Sequence, residues 1–60
     1  MSETLIERLR KMRKVKGLTL FELAMRMRLN QAVISRIEKG ILQPSEEQAD
    51  IIRAFISGKL

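Results

Sequence analysis

TLFELAMRMRLNQAVISRIEKG, residues 19–40, decides how the rest of the chain is read. Its pattern predicts two short helices joined by a tight turn. Thr19 followed three residues later by Glu22 is a capping box, which gives the first helix a definite start. Asn30 is placed to cap the second helix, and Gly40 to end it in a left-handed conformation. Leu23, Ala24, Met27, Leu29, Ile34 and Ile37 fall where such a pair buries side chains between its helices. Ala24 is small enough to let the second helix cross close to the backbone. In the segment Gln31-Ala32-Val33-Ile34-Ser35-Arg36, only Ile34 is clearly required by a core. Gln31, Ala32, Val33, Ser35 and Arg36 are therefore expected to face outward, as on a helix-turn-helix offered to the major groove of DNA.

Residues 6–55 resemble the helix-turn-helix domain of the lambda-repressor/Cro family, also called the Xre family. The resemblance rests on Leu9-Arg10, Arg13, Gly17-Leu18-Thr19, Glu22-Leu23-Ala24, Leu29, Gln31, Ile34-Ser35-Arg36-Ile37-Glu38-Lys39-Gly40 and Pro44-Ser45. It implies an all-α fold: a compact, lambda-repressor-like bundle of four helices, with at most a short fifth turn, around the helix-turn-helix. It also implies an ion pair from Arg13 to Glu38 that docks the first helix on the third. Two positions depart from the family. Leu20 stands where many members have a glutamine that reaches a phosphate, and Arg28 stands where the turn usually has glycine. If the turn keeps its shape, Arg28 sits at positive φ, at a cost on the order of 1 kcal/mol.

Composition limits the alternatives. Sixty residues form one small domain, expected to bury only about 60% of the surface its unfolded chain exposes. The absence of cysteine and histidine removes disulfides and ordinary zinc sites, and no cofactor is expected. No His, Cys or Tyr, no glycine-rich phosphate loop and no catalytic carboxylate cluster argue against an enzyme. No apolar run approaches membrane-spanning length and no signal-peptide pattern is present, so a soluble, cytoplasmic protein without membrane contact is expected. The resemblance further implies a prokaryotic nucleoid-associated, phage or plasmid setting.

The net charge of +5 is uneven: residues 1–40 hold ten basic and four acidic residues, whereas residues 41–60 hold two and three. A polyanion is drawn to the first three helices, and double-stranded DNA is the partner the resemblance implies. Gln31 can present its amide to adenine or brace a phosphate, and Arg36 can meet guanine or a phosphate. Ala32 and Val33 offer methyl groups suited to thymine. Thr19, Arg28, Asn30, Ser35 and Lys39 are the candidates for phosphate contact.

The remaining helices follow from periodicity. Ser2 is placed to cap a helix running over about 3–16, with Leu5, Ile6, Leu9 and Met12 on its core face and a largely basic remainder. The helix-turn-helix occupies about 20–27 and 31–39. Ser45 to Gln48 is a second capping box, opening a mostly apolar helix over about 46–56. Phe21 and Met25 lie four apart on the outside of the second helix; either Phe21 folds back over the C-terminal segment as additional core, or the patch meets a subunit or partner. Ser57-Gly58-Lys59-Leu60 is expected to be too short to form the fifth helix that the resemblance implies. A homodimer built from some of Phe21, Met25, Ile41, Leu42, Phe55, Ile56 and Leu60 is therefore expected.

The function expected from these features is a sequence-specific regulator of transcription, a small repressor acting as a dimer on a two-fold operator. No small-molecule effector is evident. The alternative is a protein-interaction module of the same fold, such as an antitoxin-like subunit or the partner of a larger regulator, with little or no DNA readout.

Overall fold

A computed structural model describes residues 3–60. Four helices follow in order: α1 (Leu5–Val15), α2 (Leu20–Met27), α3 (Gln31–Glu38) and α4 (Glu46–Ile56). The described residues contain no strand.

Each helix begins where a side chain can satisfy its free N–H groups. α1 starts at Thr4, whose Oγ1 accepts from the Glu7 N–H at 3.1 Å. The sequence expectation of a cap at Ser2 falls outside the described residues, and the helix begins two residues later than the reading over 3–16. In α2, the Thr19 hydroxyl accepts from Glu22 N–H at 3.1 Å while the Glu22 carboxylate accepts from Thr19 N–H at 3.0 Å. Ser45 and Gln48 repeat that exchange at the head of α4. Asn30 caps α3 by accepting from Ala32 N–H at 2.8 Å. Gly40, at φ +76°, turns the chain out of α3 in a conformation only glycine adopts without strain. After α4 the chain turns at Gly58 and forms no fifth turn of helix.

One core holds all four helices. Leu9 of α1, Leu23, Ala24 and Met27 of α2, Ile34 and Ile37 of α3, and Ile52 and Phe55 of α4 are buried together. α2 and α3 form the closest pairing, and α1 packs on both α3 and α4. Ala24 is 4% exposed and lies in this core beside Leu23 and Met27. Leu29 packs against this core without being fully buried, and Leu5, Ile6, Met12 and Leu18 do the same. Lys16 extends from the end of α1 over the Phe55 ring, its Nζ 5.1 Å from the ring centre. That places a cation on an aromatic face and closes the α1–α4 seam. No helix of the described residues is long and apolar enough to cross a membrane.

Candidate nucleic-acid interface

The site is built around α3. Ile34 and Ile37 are fully buried and fix the back of this helix, leaving Gln31, Ala32, Arg36 and Lys39 exposed. Val33 is different: it is half-buried and packs against the core, so it offers at most part of a methyl surface. Ser35 is also half-buried. It lines a crease of about 200 Å³ together with Arg10, Leu20, Glu38 and Lys39.

Glu38 is the one carboxylate of α3, and it is turned away from solvent. Arg13 grips it with two parallel hydrogen bonds, Nε to Oε2 at 2.8 Å and Nη2 to Oε1 at 3.0 Å. Only 18% of the Arg13 side chain and 8% of the Glu38 side chain remain exposed. The remaining arm of the guanidinium donates to the Leu18 carbonyl at 3.2 Å, while Leu18 N–H donates to the Arg13 carbonyl at 3.0 Å. One side chain therefore ties α1, the turn into α2 and the end of α3 together. The exposed edge of α3 keeps cations without a free carboxylate among them.

The turn between α2 and α3 passes through Arg28 at φ 55° and ψ 40°, in the left-handed region. Arg28 N–H donates to the Met25 carbonyl at 3.2 Å, and Leu29 N–H to the Ala24 carbonyl at 2.9 Å. These bonds close the end of α2 as a glycine would, with an exposed arginine in its place. At the opposite end of α2, the Glu22 carboxylate is held below the usual glutamate range, first by the N–H of Thr19. The Thr19 N–H and the Asn30 Oδ1 are thus engaged in caps. What each residue has left to offer a phosphate is the Thr19 hydroxyl proton and the Asn30 amide NH₂.

Arg10 was not distinguished in sequence from the other cations of α1. The signal was present: it lies three residues before Arg13 and so shares the helix face that meets α3. Leu20, which stands where the family often has a polar residue, packs against the core and forms the apolar floor of the same crease.

The surface expected to join subunits divides. Phe55 is wholly buried, which corrects its placement on a subunit face; its ring is core and cannot be shared with a second chain. Ile56 is half-buried against the core. Phe21 and Met25 are 58% and 64% exposed, so Phe21 does not fold back as additional core. Ile41, Leu42 and Leu60 are exposed too, and Leu42 edges a groove with Leu5, Ile6, Ile37 and Pro44. Val15 is 82% exposed at the end of α1.

Two short helices packed on each other through buried faces and joined by a tight turn, with a polar and basic outer edge, define a helix-turn-helix domain. A family model described as "Helix-turn-helix domain" matches residues 5–56, and the chain belongs to this family, in keeping with its resemblance to lambda-repressor/Cro domains. No curated protein and no solved structure matches the chain.

Proposed function

We propose that this domain is a sequence-specific DNA-binding regulator of transcription, a repressor that places α3 in the major groove of a two-fold operator. The observation that carries the proposal is the outer edge of α3. Gln31, Ala32 and Arg36 stand exposed on a helix whose back is buried, with Arg28 and Lys39 nearby and the helix's own carboxylate engaged by Arg13. Such a surface meets a polyanion without repelling it and still presents groups that distinguish bases.

The roles follow from what each side chain has free. Gln31, in the first turn, offers both an amide donor and an acceptor, the pair that matches adenine N6 and N7. Arg36 provides a fork for guanine or for a phosphate, and Ala32 a methyl for thymine; Val33 supports this surface from its half-buried position. Arg10, Ser35 and Lys39 flank one crease beside the start of α2, where the free N–H groups of Leu20 and Phe21 also favour an anion. That crease is the proposed seat of a backbone phosphate. Thr19, Arg28 and Asn30 extend the phosphate track along the helix-turn-helix. A dimer would set two α3 helices in successive major grooves, about 34 Å apart.

Selection of bound sequences from random duplex DNA tests this directly; a two-fold motif is the expected product. Gln31→Ala should alter the preferred sequence and cost about 1–3 kcal/mol on the best site. Arg10→Ala and Lys39→Ala should weaken binding to all duplexes alike and lower the log–log salt slope by about 0.9 each. Absence of any salt-sensitive, competitor-resistant complex would overturn the proposal. It would favour the protein-interaction reading, for which the exposed Phe21 and Met25 side chains are the supporting observation.

A further inference from the structure

We infer that Arg10 and Lys14 carry the phosphate track off the helix-turn-helix and onto α1, where this pair holds two neighbouring phosphates of one DNA strand. The inference deepens the DNA-binding proposal and rests on it for the phosphate seated in the crease. It adds Lys14 as a binding residue and leaves Arg8 and Lys11 of the same helix out of the interface.

Six cations run from Arg8 to Lys16, and spacing alone does not separate them. The structure sorts them by what each already touches. Arg13 is held by Glu38, and Lys11 Nζ donates to Glu3 Oε1 at 2.8 Å. Lys16 lies over the Phe55 ring. Arg8 has no carboxylate at salt-bridge distance among the described residues, but it points elsewhere. It stands about 200° around the helix from Arg10, in a hollow on the α4 side with Met12, Val15 and Ile56. Arg10 and Lys14 remain. Both are exposed, one turn apart on one face, and neither has a carboxylate at salt-bridge distance among the described residues.

Arg10 also stands in two hollows at once. One is the crease it shares with Ser35 and Lys39; the other, of about 350 Å³, it shares with Lys14. A DNA backbone seated in the crease therefore reaches the second hollow by way of Arg10. Charge sets its direction from there. Glu7 lines the second hollow three residues before Arg10, exposed and with no cation at salt-bridge distance among the described residues. A polyanion is turned away from the Glu7 end and toward Lys14. Four residues of helix rise about 6 Å, a step that two long cationic side chains adjust to successive phosphates.

Salt titrations on the duplex selected by the full chain test the inference. Lys14→Ala should lower affinity about eightfold at 0.1 M salt and reduce the log–log salt slope by about 0.9, and Lys14→Arg should restore both. Arg8→Ala removes the same net charge and should leave both close to the parent's values. Neutral methylphosphonates, placed one at a time along each strand, locate the contact. At one position the parent should lose affinity while Lys14→Ala loses nothing further, and at an adjacent position the same should hold for Arg10→Ala. Lys14 is exposed, and a thermal melt verifies that its variants are folded. Equal losses from Arg8→Ala and Lys14→Ala would reduce the effect to net charge and overturn the inference. So would the lack of any methylphosphonate to which Lys14→Ala is indifferent, with the DNA-binding proposal left standing. A parent chain that forms no salt-sensitive complex with any duplex would overturn the DNA-binding proposal itself.

Discussion

Replacing Arg13 with methionine is the most severe single change the structure identifies outside the aliphatic core. The substitution keeps an unbranched apolar stem and removes the guanidinium with its charge. It leaves the Glu38 carboxylate, 8% exposed, facing the end of α1 with no cation, and it strips one donor from the Leu18 carbonyl. Breaking a buried pair from one side costs about 3–5 kcal/mol; partial exposure of Arg13 puts the cost near the lower end, about 3 kcal/mol. A chain of 60 residues has roughly 3–9 kcal/mol of stability in total. Arg13→Met should therefore lower the melting midpoint by about 12–24 °C and leave a substantial unfolded fraction at physiological temperature. The double variant Arg13→Met, Glu38→Leu removes both charges and fills the site with apolar atoms. It should recover most of the loss, because the attraction in the native pair is largely offset by desolvation. Helical circular dichroism through thermal and urea unfolding measures both variants. A single variant as stable as the parent, or a double variant no better than the single one, would refute the reasoning. If the pair's contribution is orientation, the recovered double variant should fold and yet bind its preferred duplex more weakly than the parent.

Three further outcomes are expected. Arg28→Gly should raise stability by about 0.5–1 kcal/mol, because relief of a left-handed arginine outweighs the greater freedom of glycine in the unfolded chain, whereas Arg28→Ala should not; paired melts separate them. If Arg28 also lies on the phosphate track, both variants should show a reduced salt slope, so the glycine variant becomes more stable and binds less tightly. The Glu22 cap should make stability depend on acid. Its carboxylate titrates below its ordinary value in the folded chain, so the stabilisation is fully present above the ordinary glutamate range, about 4.3, and is lost as pH falls through the lowered folded value. Urea midpoints across that window should fall less steeply for Glu22→Gln than for the parent.

The helix-turn-helix was legible because its determinants are local. Caps at Thr19, Asn30 and Ser45 need only a side-chain oxygen a few residues from a free N–H, and Leu23, Ala24, Met27, Ile34 and Ile37 mark one face by spacing alone. The start of α1 was misplaced although its signal is of the same kind: Thr4 and Glu7 have capping-box spacing, and the Thr4 hydroxyl receives the Glu7 N–H. What spacing could not reveal was which apolar residues a neighbouring helix covers. Phe55 and Ile56 are adjacent on a largely apolar helix, yet only Phe55 is fully enclosed, with Lys16 reaching across its ring. Val33 likewise reads as groove-facing in isolation and is drawn partly inward by the core behind α3. Both misplacements are tertiary in origin, since each depends on the angle at which another helix crosses.

The same geometry separates the residues that hold this domain together from those proposed to read DNA. Among the described residues, Gln31, Ala32 and Arg36 make no side-chain hydrogen bond and cover no part of the buried core. Substitutions at such positions ordinarily change stability by no more than about 0.5 kcal/mol. Val33 and Ser35 lack that freedom: enlarging either presses on the core or fills the crease beside Arg10 and Lys39. Altered binding preference should therefore be reachable through residues 31, 32 and 36 at almost constant melting temperature. Changes at 33 and 35 should move melting temperature and binding together. A set of α3 variants measured for both properties decides the matter. If substitutions at 31, 32 or 36 destabilise as much as those at 33, the outer edge of α3 supports the fold after all, and its use as a reading surface loses its physical basis.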